Sequence, residues 1–136
     1  MQKISDVMTK SPVSIGKDAS LQDAAAAMAK HDVGSLPVTD GKRLAGIVTD
    51  RDIVLRAVAK GASASARVAD AMTRDIVTCA SSSDVHAAAR MMGEKQIRRL
   101  YVVDDGDLVG VVALGDLAKE APPEEAAKAL KKISAA

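Results

Sequence analysis

The sequence predicts an α/β fold of the α+β kind, built from two β-α-β-β-α units related by a pseudo-twofold axis and packed sheet to sheet. Three observations lead there. The chain matches itself without a gap at an offset of 64, Asp6-Val7-Met8-Thr9 falling on Asp70-Ala71-Met72-Thr73, which marks a duplicated structural unit. Within each copy one helical period is flanked by short apolar strands. Each copy has only about 50 residues, too few to bury much surface alone, so the two are expected to pack together around a cleft with two related sites.

The register of the match is carried by more than alanines. Leu21, Ala24, Ala25 and Met28 fall on Val85, Ala88, Ala89 and Met92; Leu36, Val38 and Asp40 on Leu100, Val102 and Asp104; Leu44, Gly46, Val48 and Asp52 on Leu108, Gly110, Val112 and Asp116. In the first copy a helical turn over 4–8 leads through Ser11-Pro12 to a strand at 13–15. Ser20 and Asp23 form an S-x-x-D capping signal, and the i, i+3, i+4, i+7 spacing from Leu21 predicts a helix ending near His31. Strands over 36–39 and 44–48 flank a hairpin turn at Asp40-Gly41-Lys42-Arg43. A second helix over 50–60 is ended by Gly61. The second copy reads as a strand over 76–79, a helix over 83–95, strands over 100–103 and 108–112 around Asp105-Gly106, and a helix over 114–120. The domain reading is repeat 1 over 3–61, a small-residue linker over 62–66, repeat 2 over 67–121 and a helical tail over 122–136 that begins at Pro122-Pro123.

Composition narrows the function classes. Of 136 residues, 48% are hydrophobic and 27% charged, with a net charge of +1, so nothing steers the chain to nucleic acid or an anionic membrane. Tyr101 is the only aromatic residue; any planar ligand must be gripped by aliphatic side chains. The lone Cys79 reads as a small buried hydrophobe. Residues 1–6 lack a signal-peptide core and no apolar run approaches the ~18 residues of a membrane span, which makes the cytoplasm the expected location. His31 and His86 have no companions at metal-ligand spacing, so no metal site is expected. Met28, Met91 and Met92 read as core filler. No nucleophile–base pairing or Gly-rich phosphate loop is present, and the chain is not expected to be an enzyme.

Several motifs together resemble the CBS domain family, named for cystathionine beta-synthase, in its tandem arrangement, the Bateman module. These are Asp-Val-Met-Thr at 6–9 and Asp-Ala-Met-Thr at 70–73; Val33-Gly34-Ser35-Leu36-Pro37-Val38 and Ile97-Arg98-Arg99-Leu100-Tyr101-Val102; and Gly46-Ile47-Val48-Thr49-Asp50-Arg51-Asp52, a G-x-x-T/S-x-x-D motif echoed at Gly110-Val111-Val112-Ala113-Leu114-Gly115-Asp116. The resemblance implies adenine-nucleotide sites between the repeats, with the motif Asp on the ribose hydroxyls, the Thr/Ser on phosphate and apolar strand residues around the adenine. One site would use Thr49, Asp52 and Ile47 with Val77 and Ile97; the other Asp116, Arg98 and Val111 with Val13 and Val33. The implied ligands are AMP, ADP or ATP, with NAD(H) and S-adenosylmethionine behind them. The implied partners are an effector protein acting in trans and a second copy of the chain in a homodimer.

The same residues admit a plainer account. Thr49-x-x-Asp52 is also a capping box, and Arg98-Arg99 could be a solvated pair. A capping pair has little reason to keep Asp116 once the cap has become Ala113, which favours the ligand role; so do the N–H groups expected at the helix start of Thr49 and Asp52. Against it, Ala113 removes a hydroxyl from one site, and Gly34 leaves the other without the arginine that Arg98 supplies, so Arg51, Arg98 or Arg99 would have to stand in. Tyr101 replaces a usual proline without evident meaning. The alternative function is a ligand-free dimerisation or protein-interaction module.

Overall fold

The computed structural model describes residues 2–118, 127–128 and 131–133. The chain forms two compact units, one of residues 13–76 and one of residues 1–12 with 77–136. The expected tail helix lies mostly outside the described residues, although 131–133 are helical.

The unit of residues 13–76 contains strand β2 (Ile15–Gly16), helix α1 (Leu21–His31), strands β3 (Ser35–Asp40) and β4 (Arg43–Thr49), and helix α2, which begins at Asp50–Asp52. β2 runs parallel to β3, and β3 pairs antiparallel with β4. The Ser20 hydroxyl caps α1 by accepting the Asp23 N–H, as its S-x-x-D pattern predicts. Leu21, Ala24 and Met28 bury their side chains with Leu36, Val38 and Val48, each large aliphatic contributing about 1.5–3 kcal/mol. Ala25, expected on the same face, is exposed. α2 does not stay α-helical. It widens into a π-helical turn at Ile53–Ala57 and tightens to a 3-10 turn at Val58–Lys60, where Gly61 ends it at φ 75°.

The other unit repeats the plan with β5 (Thr78–Cys79), α3 (Val85–Lys95), β6 (Arg99–Asp104), β7 (Asp107–Ala113) and α4 (Leu114–Ala118). β5 is parallel to β6, and β6 antiparallel to β7. The hairpin residues Asp105 and Gly106 both take positive φ, the geometry an Asp-Gly two-residue turn supplies. Asp84 caps α3, and the Ser83 hydroxyl accepts the Ala80 N–H. Met92 and Cys79 are core residues, and Met91 packs on that core. Burial, with the nearby Asp104 carboxylate, pushes the Cys79 thiol up to about 11, so it stays a neutral hydrophobe at ordinary pH. Tyr101 is buried.

The units do not follow the repeat boundaries. The opening segment of repeat 1 belongs with repeat 2: Ile4 N–H donates to the Ser83 carbonyl and Val85 N–H to the Gln2 carbonyl. Ile4 is fully buried with Val85, Leu100 and Val112, and β1 (Thr9–Lys10) pairs antiparallel with β7. The opening segment of repeat 2 belongs with repeat 1 in the same way. Leu21 N–H donates to Ala66, Val68 N–H to Ala19, and Ile47 and Thr73 exchange both backbone bonds. The 62–66 segment is thus tied to the start of α1.

This exchange explains the motif glycines. A Cβ at Gly46 would stand 2.6 Å from the Thr73 carbonyl oxygen and 3.0 Å from Met72 Sδ; one at Gly110 would stand 2.6 Å from Met8 Sδ and 3.0 Å from the Thr9 oxygen. Each glycine is a gap through which an opening segment crosses a strand. The Met-Thr of each opening motif packs there.

Candidate functional site

In the unit of residues 13–76, β4 delivers Ile47 half-buried and Thr49 to the start of α2. The Thr49–Asp52 capping box forms in full. Thr49 Oγ1 accepts the Asp52 N–H at 3.0 Å, and Asp52 Oδ2 accepts the Thr49 N–H at 3.0 Å. Arg56, one turn on, brings its Nε to 3.7 Å from Asp52 Oδ1 and donates from Nη1 to the Met72 carbonyl. The Asp52 side chain keeps 14% exposure. Its oxygens have lone pairs beyond these contacts, so the carboxylate can still accept a pair of vicinal hydroxyls.

The expectation of open N–H groups at this helix start is not met. The Asp50 N–H donates to the Gly34 carbonyl, the Arg51 N–H to Asp50 Oδ1 and the Asp52 N–H to Thr49 Oγ1. A short helix whose first amides already have partners has little to offer an anion. The Asp50 carboxylate leans into the space beside Gly34, 3.2 Å from where a Cβ there would stand. Val33 and Val13, assigned by the sequence to the Asp116 site, lie in this unit: Val33 packs at the core edge and Val13 is 44% exposed.

In the other unit the Asp116 carboxylate accepts the Ala113 N–H at 3.2 Å. Half of the capping box therefore survives without a hydroxyl residue. The inference that Asp116 lacks a structural reason to persist fails on this bond. Leu114 N–H donates to the Arg98 carbonyl at 2.9 Å, the same bond that Asp50 makes to Gly34. Arg98 is exposed and Val111 half-buried; Val77 and Ile97 pack against that unit's core.

Sequence reasoning missed Arg56 and Asp50. The i, i+4 spacing of Asp52 and Arg56 was a usable signal. So was the pairwise change between copies, Gly34 with Asp50 against Arg98 with Leu114. Among the described residues no group of three or more His, Cys, Asp or Glu side chains is placed to hold a metal ion.

The CBS domain model matches twice, over residues 4–58 and 68–123. The chain belongs to the CBS domain family. It is 38% identical over 135 residues to the CBS domain-containing protein YhcV of Bacillus subtilis, covering 98% of this chain and 96% of that one. To hypoxic response protein 1 of Mycobacterium tuberculosis it is 33% identical over 130 residues, covering 94% and 91%. Among solved structures, Hypoxic Response Protein I with two coordinated zinc ions superposes with a TM-score of 0.80 at 32% identity, over 89% of this chain and all of that one. CBSX2 in complex with AMP superposes with a TM-score of 0.75 at 28% identity, over 88% and 96%. Tandem CBS domains are regulatory ligand-binding modules, and stand-alone CBS-domain proteins are typically regulatory rather than catalytic. Among the described residues no helix is long and apolar enough to cross a membrane.

Proposed function

We propose that this tandem CBS chain is a cytoplasmic sensor that binds an adenosine-containing small molecule, does no chemistry on it, and acts on a partner protein in trans. The observation that carries the reading is the Thr49–Asp52 turn, in a chain of the same fold as CBSX2, which was solved with AMP. In this reading Asp52 accepts the ribose hydroxyls, and charge-assisted bonds of that kind contribute ~1.5–3 kcal/mol each. Ile47 supplies aliphatic surface for the base, and the resemblance adds Val77 and Ile97 to the same ligand. By the same resemblance Asp116, Arg98 and Val111, with Val13 and Val33, make the second site. AMP, ADP and ATP are the first candidates; NAD(H) and S-adenosylmethionine carry the same adenine and diol.

A thermal-shift panel over these compounds and adenosine tests it. A ligand at ~100 times its Kd adds about 2.7 kcal/mol, a rise of about 4 °C or more. Asp52→Ala, compared with its own ligand-free melting point, should lose most of the rise for the most stabilising compound; Asp116→Ala should lose less. Equal losses would remove the preference for Asp52, and a flat panel on the wild type would sink the nucleotide reading.

A second reading has its own support. Val54, Leu55 and Val58 are exposed on the α2 region, Val58 at 65%. Beside them lies an open groove of about 520 Å³ lined by residues including Leu21, Ala25, Ile53 and Ala57. Contiguous apolar surface of this kind suits a protein contact. A flat ligand panel together with a dimer in light scattering would favour the interaction module.

A further inference from the structure

The two copies place opposite charges on the two partners of one matching backbone hydrogen bond, and this bears on what a ligand at Asp52 can carry. Asp50 N–H to Gly34 carbonyl and Leu114 N–H to Arg98 carbonyl are matching 2.9 Å bonds, so Gly34 corresponds to Arg98 and Asp50 to Leu114 in space as well as in sequence. Repeat 2 presents a guanidinium there. Repeat 1 has no side chain at Gly34, and the Asp50 carboxylate points into the space left beside it.

We propose that the Thr49–Asp52 turn selects adenosyl ligands whose 5′ substituent is neutral or cationic, and that Gly34 and Asp50 set this preference. The proposal rests on the nucleoside reading above and reorders its candidates. In this proposal the 5′ substituent of a ribose held on Asp52 lies beside Gly34, where the Asp50 carboxylate stands and charges act on each other within a Debye length, ~8 Å. Asp50 and Asp52 then both repel a phosphate. The amides that could offset this are engaged by Gly34, Asp50 and Thr49. Of the two cations on the turn, Arg56 is held by Asp52 and the Met72 carbonyl, and Arg51 is exposed.

The test is calorimetric titration with adenosine, AMP and 5′-amino-5′-deoxyadenosine, in an Asp116→Ala background that removes the carboxylate of the second site. Adenosine and the amine should bind more tightly than AMP. Asp50→Asn keeps an oxygen for the Arg51 N–H while removing the charge, and should improve AMP binding about three- to tenfold, the effect of one charge at ~6 Å in a wet site. It should leave adenosine within about twofold. Gly34→Arg should shift the order toward AMP as well. AMP binding more tightly than adenosine before any change at Asp50, or Asn altering all three probes alike, would overturn the proposal while leaving the nucleoside reading intact. Failure of all three probes to bind would overturn both.

Discussion

Gly46→Ala should lower the melting temperature by an amount on the order of 10 °C. The added methyl would stand 2.6 Å from the Thr73 carbonyl oxygen, and that oxygen cannot simply withdraw. It accepts the Ile47 N–H at 2.9 Å, while the Thr73 N–H donates to the Ile47 carbonyl at 2.8 Å. Overpacking of this kind costs about 1–3 kcal/mol and sometimes more, well above the few tenths to ~1 kcal/mol that alanine returns through a stiffer unfolded chain. In a domain of this size a loss of 2–3 kcal/mol moves the midpoint by about that 10 °C. Gly110→Ala is the built-in control. Its closest clash is with Met8 Sδ, and the Thr9 oxygen is 3.0 Å away. A thioether can swing aside, so the drop should be smaller. Equal drops in calorimetric scans would contradict the packing account.

Ile4→Ala should be as damaging, and in an unexpected place. Ile4 is fully buried among Val85, Ala88, Leu100 and Val112, all from the second repeat. Truncation of such a side chain costs about 2–5 kcal/mol. Native-state hydrogen exchange should therefore show protection falling first in β6 and β7, with β3 and β4 spared. Val68→Ala, the matching position on the other opening segment, should do the reverse, because Val68 is buried with Leu21, Leu36 and Val48. If Ile4→Ala loosened β3 and β4 instead, the exchanged segments would be wrong.

The elements were largely legible, and the reasons are local. Ser20, Gly61 and Asp105-Gly106 each fix a backbone geometry through their own chemistry, so the start of α1, the end of α2 and the second hairpin follow from the letters. The exchange of opening segments was not legible. Matching Asp6-Val7-Met8-Thr9 to Asp70-Ala71-Met72-Thr73 shows two equivalent segments but not which copy each packs on, since that depends on the path of the chain. Gly46 and Gly110 in mid-strand were the available hint of a close crossing. The π-helical turn after Asp52 left no mark in the sequence that we recognise.

The site was legible as a motif and ambiguous as chemistry. Thr49 and Asp52 stand out at once, yet the structure gives them full employment as a capping box with Arg56 alongside. Capping and ligand binding are compatible, because Asp52 remains partly exposed with lone pairs to spare. Asp116 accepts the Ala113 N–H and so has a backbone role of its own. Its persistence is therefore no independent mark of a ligand.

The most direct measurement is an amide NMR titration of the full chain with adenosine-containing ligands. The account predicts saturable shifts at Thr49, Asp50, Arg51 and Asp52 that disappear in Asp52→Ala. Spectra unchanged at millimolar ligand, or shifts that leave these four amides untouched, would contradict it.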